Sequence, residues 1–255
     1  MKILFIGDIV GRPGREAVES FLPLLRQEYE VDFVVANGEN AAGGRGISQN
    51  IARKLYDLGI DFLTLGNHVW DQKDLEKYID DDRRMVRPAN YPTGVPGRGY
   101  GIVAKNGLKL GVINLAGRIF LPPLDNPFRL VSEIINQINQ ETRAVLVDFH
   151  AEATSEKVAM GRFLDGKVSA VVGTHTHVQT ADEKVLSLGT AYITDVGMTG
   201  PADSVIGVRK EAVIANFLTQ MPFRLEVAEG PIQLNAVVID IDDSGKARSI
   251  VRVQR

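Results

Sequence analysis

Residues 168–177 read Val-Ser-Ala-Val-Val-Gly-Thr-His-Thr-His. Val168–Val172 is a short apolar run with the length of a buried strand rather than a helix. It passes through Gly173 into a polar segment carrying two histidines, His175 and His177, two positions apart. On a strand or an extended turn, that spacing lets both side chains face one side. The same punctuation recurs along the chain. The run Lys2–Ile6 ends in Gly7-Asp8, and Val31–Ala36 in Asn37-Gly38-Glu39-Asn40. Asp61–Leu65 ends in Gly66-Asn67-His68, and Ala144–Phe149 contains Asp148 and is followed by His150. In open α/β sheets, ligands bind outside the carboxyl ends of the strands. Five distant segments are therefore expected to converge on one site.

Between these runs lie amphipathic stretches expected to be helical: Glu16–Tyr29, Ser48–Leu58 with Ser48 as its N-cap, Gln72–Ile79, Pro127–Gln140, Ser155–Leu164 and Arg209–Leu218. Pro13 and Gly14 suit the turn opening the first, and Pro23 is expected to end or kink it. Arg87–Arg98 reads as a loop, and Asn106-Gly107 marks a hairpin between Gly101–Ala104 and Lys109–Leu115. Val185–Leu188, Ala191–Ile193, Phe223–Val227, Gln233–Ile241 and Ala247–Val253 read as further strands. A β-α-β-like first half and a strand-rich end imply an α/β protein with two packed β-sheets flanked by helices. With 255 residues, 44% of them hydrophobic, and no repeat or linker, residues 1–255 read as one domain.

The net charge is −3 and there is no cysteine. Disulfides are excluded, and strong bulk attraction for nucleic acid is not expected. No run approaches the ~20 apolar residues of a membrane span, and the first strand is too short for a signal peptide, so a cytoplasmic protein is expected. Any metal must be held by His, Asp, Glu or Asn. All four histidines, His68, His150, His175 and His177, lie in the strand-end segments. Imidazole, carboxylate and amide oxygen together suit iron, manganese or zinc better than magnesium or calcium. Asp8, Glu39, Asn67 and the three later histidines are six candidate ligands, too many for one open site. They suit two metals sharing a bridging carboxylate, ~3.5–4 Å apart.

The ordered segments GDIVGRPGR (7–15), NGENAAGGRG (37–46), GNHVWD (66–71) and GTHTHVQTAD (173–182), with His150 between the last two, resemble the calcineurin-like metallophosphoesterases and, within them, the YmdB-like bacterial branch. The resemblance spans most of the chain. It implies a four-layer αββα sandwich with mixed sheets, two transition metals (iron, manganese or both, with zinc as the alternative) and hydrolysis of 2′,3′-cyclic nucleotides or related small diesters. It also implies the roles. Asp8 and His177 hold one metal with Asn40 as an extra ligand, His150, His175 and Asn67 hold the other, and Glu39 bridges them. A water between the metals is acidified towards neutrality and attacks phosphorus, while His68 protonates the leaving oxygen. The chain departs from the broader pattern: Val10 stands where a histidine is usual, Glu39 where an aspartate bridges, and Val69 where an acid follows His68. Asp71 is the nearby group able to orient His68.

Gly43-Gly44-Arg45-Gly46 and Arg12 are either phosphate contacts or ordinary loop residues. Trp70, Tyr91 and Phe120 are either base-stacking or core residues. A small diester substrate, phosphate or product in the site and a homo-oligomer are the expected partners. The competing functions are a phosphomonoesterase or protein phosphatase on the same metal core, and a metal-stabilised nucleotide- or RNA-binding regulator without catalysis.

Overall fold

Each residue from Ile3 to Ile6 pairs with two neighbouring strands, and the side chains divide between two cores. In the computed structural model, which describes residues 1–255, Leu4 and Ile6 pack with helix residues Val18, Leu22 and Leu55. Ile3 and Phe5 face the other way, towards Val112, Leu146 and Val172. This is the period-two alternation of a strand buried on both faces.

The strands and helices follow in chain order. The first part contains β1 (Lys2–Ile6), β2 (Asp8–Ile9), α1 (Gly11–Tyr29), β3 (Phe33–Asn37), α2 (Gln49–Asp57), β4 (Phe62–Thr64) and β5 (Met85–Val86). Then come β6 (Tyr100–Lys105), β7 (Leu108–Ala116), α3 (Pro127–Ile138), β8 (Val145–His150), α4 (Thr154–Leu164) and β9 (Ala170–Thr174). The chain finishes with β10 (Lys184–Val185), β11 (Ala191–Ile193), β12 (Met198–Pro201), α5 (Lys210–Thr219), β13 (Ile232–Gln233), β14 (Asn235–Ile241) and β15 (Ala247–Gln254).

One sheet has the order β15-β14-β1-β3-β4-β5 and the other β10-β11-β9-β8-β7-β6. Both are mixed. β1, β3, β4 and β5 run parallel while β14 and β15 are antiparallel, and β7, β8, β9 and β11 run parallel between antiparallel edges. A third, small sheet, β13-β12-β2, lies beside the first turn of α1. The central core fills the space between the large sheets. The outer face of the first carries α1 and α2, and the outer face of the second packs on Val131, Ile134 and Ile138 of α3 and Met160 and Leu164 of α4. The result is the helix–sheet–sheet–helix sandwich expected from the sequence. No helix is long and apolar enough to cross a membrane.

Four sequence expectations fail locally. α1 starts at Gly11, so Pro13 and Gly14 lie within its first turn, where proline's missing N–H costs nothing. Pro23 does not end it, because Leu22 and Leu25 anchor the helix to the core on either side. Only Leu75–Lys77 of the 72–79 stretch is helical, as a single 3₁₀ turn. Phe223–Val227 is not a strand: only Val227 pairs, through one isolated antiparallel bridge to Val208. Elsewhere the elements agree within a few residues, including Ser48, whose Oγ accepts the Ile51 N–H, and the hairpin with Asn106 and Gly107 at positive φ.

Candidate active site

Each strand-end segment arrives from a parallel strand, and the carboxyl ends of both large sheets meet at one cavity of about 560 Å³. The first sheet brings Asp8, Glu39, Asn40, Asn67 and His68. The second brings His150, His175 and His177. Gly66 makes the approach possible: a β-carbon there would lie 2.1 Å from Glu39 Oε2 and 2.5 Å from the His150 ring.

The centre of the cluster is His150, fully buried. Its Nε2 lies 3.0 Å from Glu39 Oε1, 2.9 Å from Asn67 Oδ1 and 3.1 Å from His175 Nδ1. Asn40 Nδ2 is 3.2 Å from Glu39 Oε1 and 3.1 Å from His177 Nε2. Asp8 accepts the His175 N–H through Oδ2, at 3.1 Å. All seven expected ligands are therefore linked in one cluster. Asn40 presents its amide nitrogen to these neighbours; a half-turn about its last torsion would present Oδ1 instead.

These residues fit metal ions. Asp8 Oδ1 and Asn235 Oδ1 are the two buried side-chain polar atoms with no hydrogen-bond partner. The three histidines tie down their outer nitrogens. His150 Nδ1 is 2.9 Å from Thr174 Oγ1, whose hydroxyl donates to Asp148 Oδ1 at 2.7 Å. His175 Nε2 lies 3.1 Å from Glu152, and His177 Nδ1 lies 2.9 Å from the Ile206 carbonyl. Each inner nitrogen is left to face the cluster, which is the arrangement of metal-binding histidines whose second nitrogen is fixed by an acceptor.

The electrostatics say the same. Burial disfavours the charged His150, yet Glu39, Asp8 and Asp148 outweigh it and raise its pKa to about 9. Burial also opposes ionised Glu39, but His150 and His68 hold it at about 2. Burial, with His150 beside it, lowers His175 to about 3. Burial raises Asp8, with His177 and His150 pulling against it. A buried cluster of carboxylates balanced by a proton is one where a cation replaces that proton.

His68 stands apart from this crowding, at the cavity wall. Its Nδ1 is 2.9 Å from Asp71 Oδ2, and its N–H donates to Glu39 Oε2 at 3.1 Å. Asp71 thus orients it. Arg45 lines the same cavity. The Gly44 and Arg45 amides bond the Asn40 and Ala42 carbonyls, so neither of those two is free for a phosphate. Arg12 pairs with Glu16 and Glu229 instead. Trp70 and Tyr91 pack edge to face, 6.1 Å apart, against the outer core, and with the exposed Phe120 they lie outside the cavity.

Sequence reasoning placed Asp148 in a strand-end segment without giving it a role, and missed Asp195 and Glu152. Asp148 is two positions before His150 on β8, and that spacing alone puts both on one face. It accepts from Asn37 and Thr64 of the first sheet as well as Thr174, so it joins the sheets beneath the site. Asp195, just after β11, follows the same strand-end rule. Its Oδ2 accepts from the Thr176 N–H at 3.1 Å, the Thr176 hydroxyl at 2.7 Å and the buried Lys157 at 2.6 Å. Glu152 had no signal beyond its nearness to His150.

The family model described as YmdB-like protein matches residues 4–253. The chain belongs to that family. It is 53% identical over all of its length to a Bacillus subtilis protein named 2′,3′-cyclic-nucleotide 2′-phosphodiesterase, covering 96% of that protein. A chain of known structure from Mycoplasma pneumoniae, described as a novel phosphatase, superposes with a TM-score of 0.93 at 37% identity, covering 100% of this chain and 93% of that one. Beyond such relatives, the fold is shared with the Haemophilus influenzae NAD nucleotidase at a TM-score of 0.62 and 13% identity, over 100% of this chain and 55% of that one.

Proposed function

We propose that this YmdB-like protein is a metal-dependent phosphodiesterase acting on 2′,3′-cyclic nucleotides. The observation that carries the reading is the inward convergence of three histidine nitrogens with Glu39, Asn67 and Asp8, beside a histidine held outside the cluster. Asp8 and His177, with Asn40, would hold one metal; His150, His175 and Asn67 the other; and Glu39 would bridge them. Iron, manganese or both suit this donor set, with zinc as the alternative. When bound, the metals supply Lewis-acid polarisation of the phosphoryl group and acidify the attacking water.

The chain's own residues do the rest. Arg45 offers two N–H groups to the phosphate oxygens at the cavity wall. His68, oriented by Asp71, carries a proton on Nε2 and delivers it to the departing ester oxygen as the P–O bond breaks. The Bacillus relative's name specifies the 2′ bond. Cleavage there puts that proton on O2′ and releases a nucleoside 3′-phosphate. We extend the reading to a homo-oligomer, supported by the apolar side chains that α5 leaves exposed.

The test is turnover of 2′,3′-cyclic AMP by purified protein with Mn²⁺, with and without chelator, beside p-nitrophenyl phosphate as the monoester. Chelator-sensitive hydrolysis favouring the diester is expected. Metal-loaded protein that cleaves only the monoester would replace this reading with a phosphomonoesterase.

A further inference from the structure

Val205 and Val208 exchange both backbone hydrogen bonds across a two-residue turn, Ile206-Gly207. Both turn residues have positive φ, 47° and 97°. That is the pattern of a type I′ hairpin turn, which favours Asn-Gly and disfavours β-branched residues. Gly207 has a local reason, since a β-carbon there would meet Val10 at 2.8 Å. Isoleucine at 206 has none from stability: its side chain is 53% exposed, so it adds little core while straining the turn.

What the position does have is the site. Ile206 lines the cavity of the histidine cluster, and its carbonyl faces His177 Nδ1 at 2.9 Å. Leu225, 56% exposed, and Val227 line the same cavity. Val227 also lies against the glycine loop that carries Arg45, 2.9 Å from where a Gly44 β-carbon would stand. A hydrated apolar surface therefore adjoins the phosphate chemistry on one side and the guanidinium loop on the other. A substrate carrying a flat, weakly hydrated group next to its phosphodiester matches that surface.

We propose that Ile206, with Leu225 and Val227, forms the shelf that takes the nucleobase, making Ile206 a specificity-determining residue. This rests on the cyclic-nucleotide reading above. Ile206→Asn is the informative variant, because it places the preferred residue in the turn, keeps the carbonyl that faces His177 and removes the apolar surface. Its Tm should equal or exceed that of the parent. The ratio of kcat/KM for 2′,3′-cyclic AMP to that for base-free methyl riboside 2,3-cyclic phosphate should fall about tenfold, equivalent to about 1.4 kcal/mol. An unchanged ratio overturns the shelf. So does an equal loss on both substrates, which would make Ile206 a positioning residue for His177. A change in oligomeric mass with the ratio unchanged would assign the turn to contact between copies and also overturn it. If the parent cleaves neither substrate, the cyclic-nucleotide reading fails. The shelf is then judged by calorimetry: adenosine 3′-phosphate should bind more tightly than ribose phosphate, and Ile206→Asn should erase that preference. Equal binding by the parent overturns the shelf as well.

Discussion

At the scale of single residues, the site separates crowded groups from a free one. His150, His175 and His177 each have one nitrogen tied and one facing the cluster, whereas His68 has Asp71 on one nitrogen and the cavity beyond the other. That difference predicts how His68→Ala should behave. Hydrolysis of 2′,3′-cyclic AMP, whose leaving alkoxide needs a proton, should fall about 10²- to 10⁴-fold in kcat. Hydrolysis of bis(p-nitrophenyl) phosphate, whose leaving phenolate is stable without one, should fall far less, and metal content measured by atomic emission should be retained. Equal losses on both substrates would remove the acid role.

Individual elements explain how those residues are held and how far the sequence discloses them. Strand ends were legible, because a buried apolar run that breaks into Asp, Asn or His has few other uses. Their supports were less legible, because a buried acid such as Asp195 is recognised only once the fold puts Thr176 and Lys157 around it. The turn it clamps is strained: His175 and His177 have φ of 103° and 66°, on either side of Thr176. Asp195→Ala leaves Lys157 buried without its partner, and should cost about 3–5 kcal/mol in chemical denaturation. It should also weaken Mn²⁺ binding in calorimetry, a loss that a merely structural ion pair would not cause. The start of α1 was hidden for a similar reason, since Val10 gives it no side-chain cap and the Gly11 amide is satisfied by the distant Asn40 carbonyl. α5 makes the opposite point. Its periodicity was readable, but none of its residues is buried, and Phe217 and Leu218 are 74% and 79% exposed. Phe217→Glu with Leu218→Glu should lower the mass found by sedimentation to that of one chain. An unchanged mass would mean that α5 makes no contact between copies.

For the whole molecule, acid stability follows from carboxylates bonded in the folded state. Burial opposes the ionised Asp182, but the hydroxyls of Thr194 and Thr180 and the Thr194 N–H outweigh it and hold its pKa below the ordinary value. A folded-state pKa below the unfolded one stabilises the protein above about pH 4, and the contribution is lost as pH falls further. Asp182→Asn should therefore lower Tm at pH 7 and flatten its decline below about pH 4 in scans of chelator-treated protein; parallel curves would assign acid unfolding to other groups. The strand order β15-β14-β1-β3 carries a different consequence. During synthesis on the ribosome, β1 emerges more than two hundred residues before β14, which covers one of its two edges. Until then that edge is bare, a template for any passing strand. Chaperone dependence in this protein should be concentrated in the interval before residues 235–241 emerge.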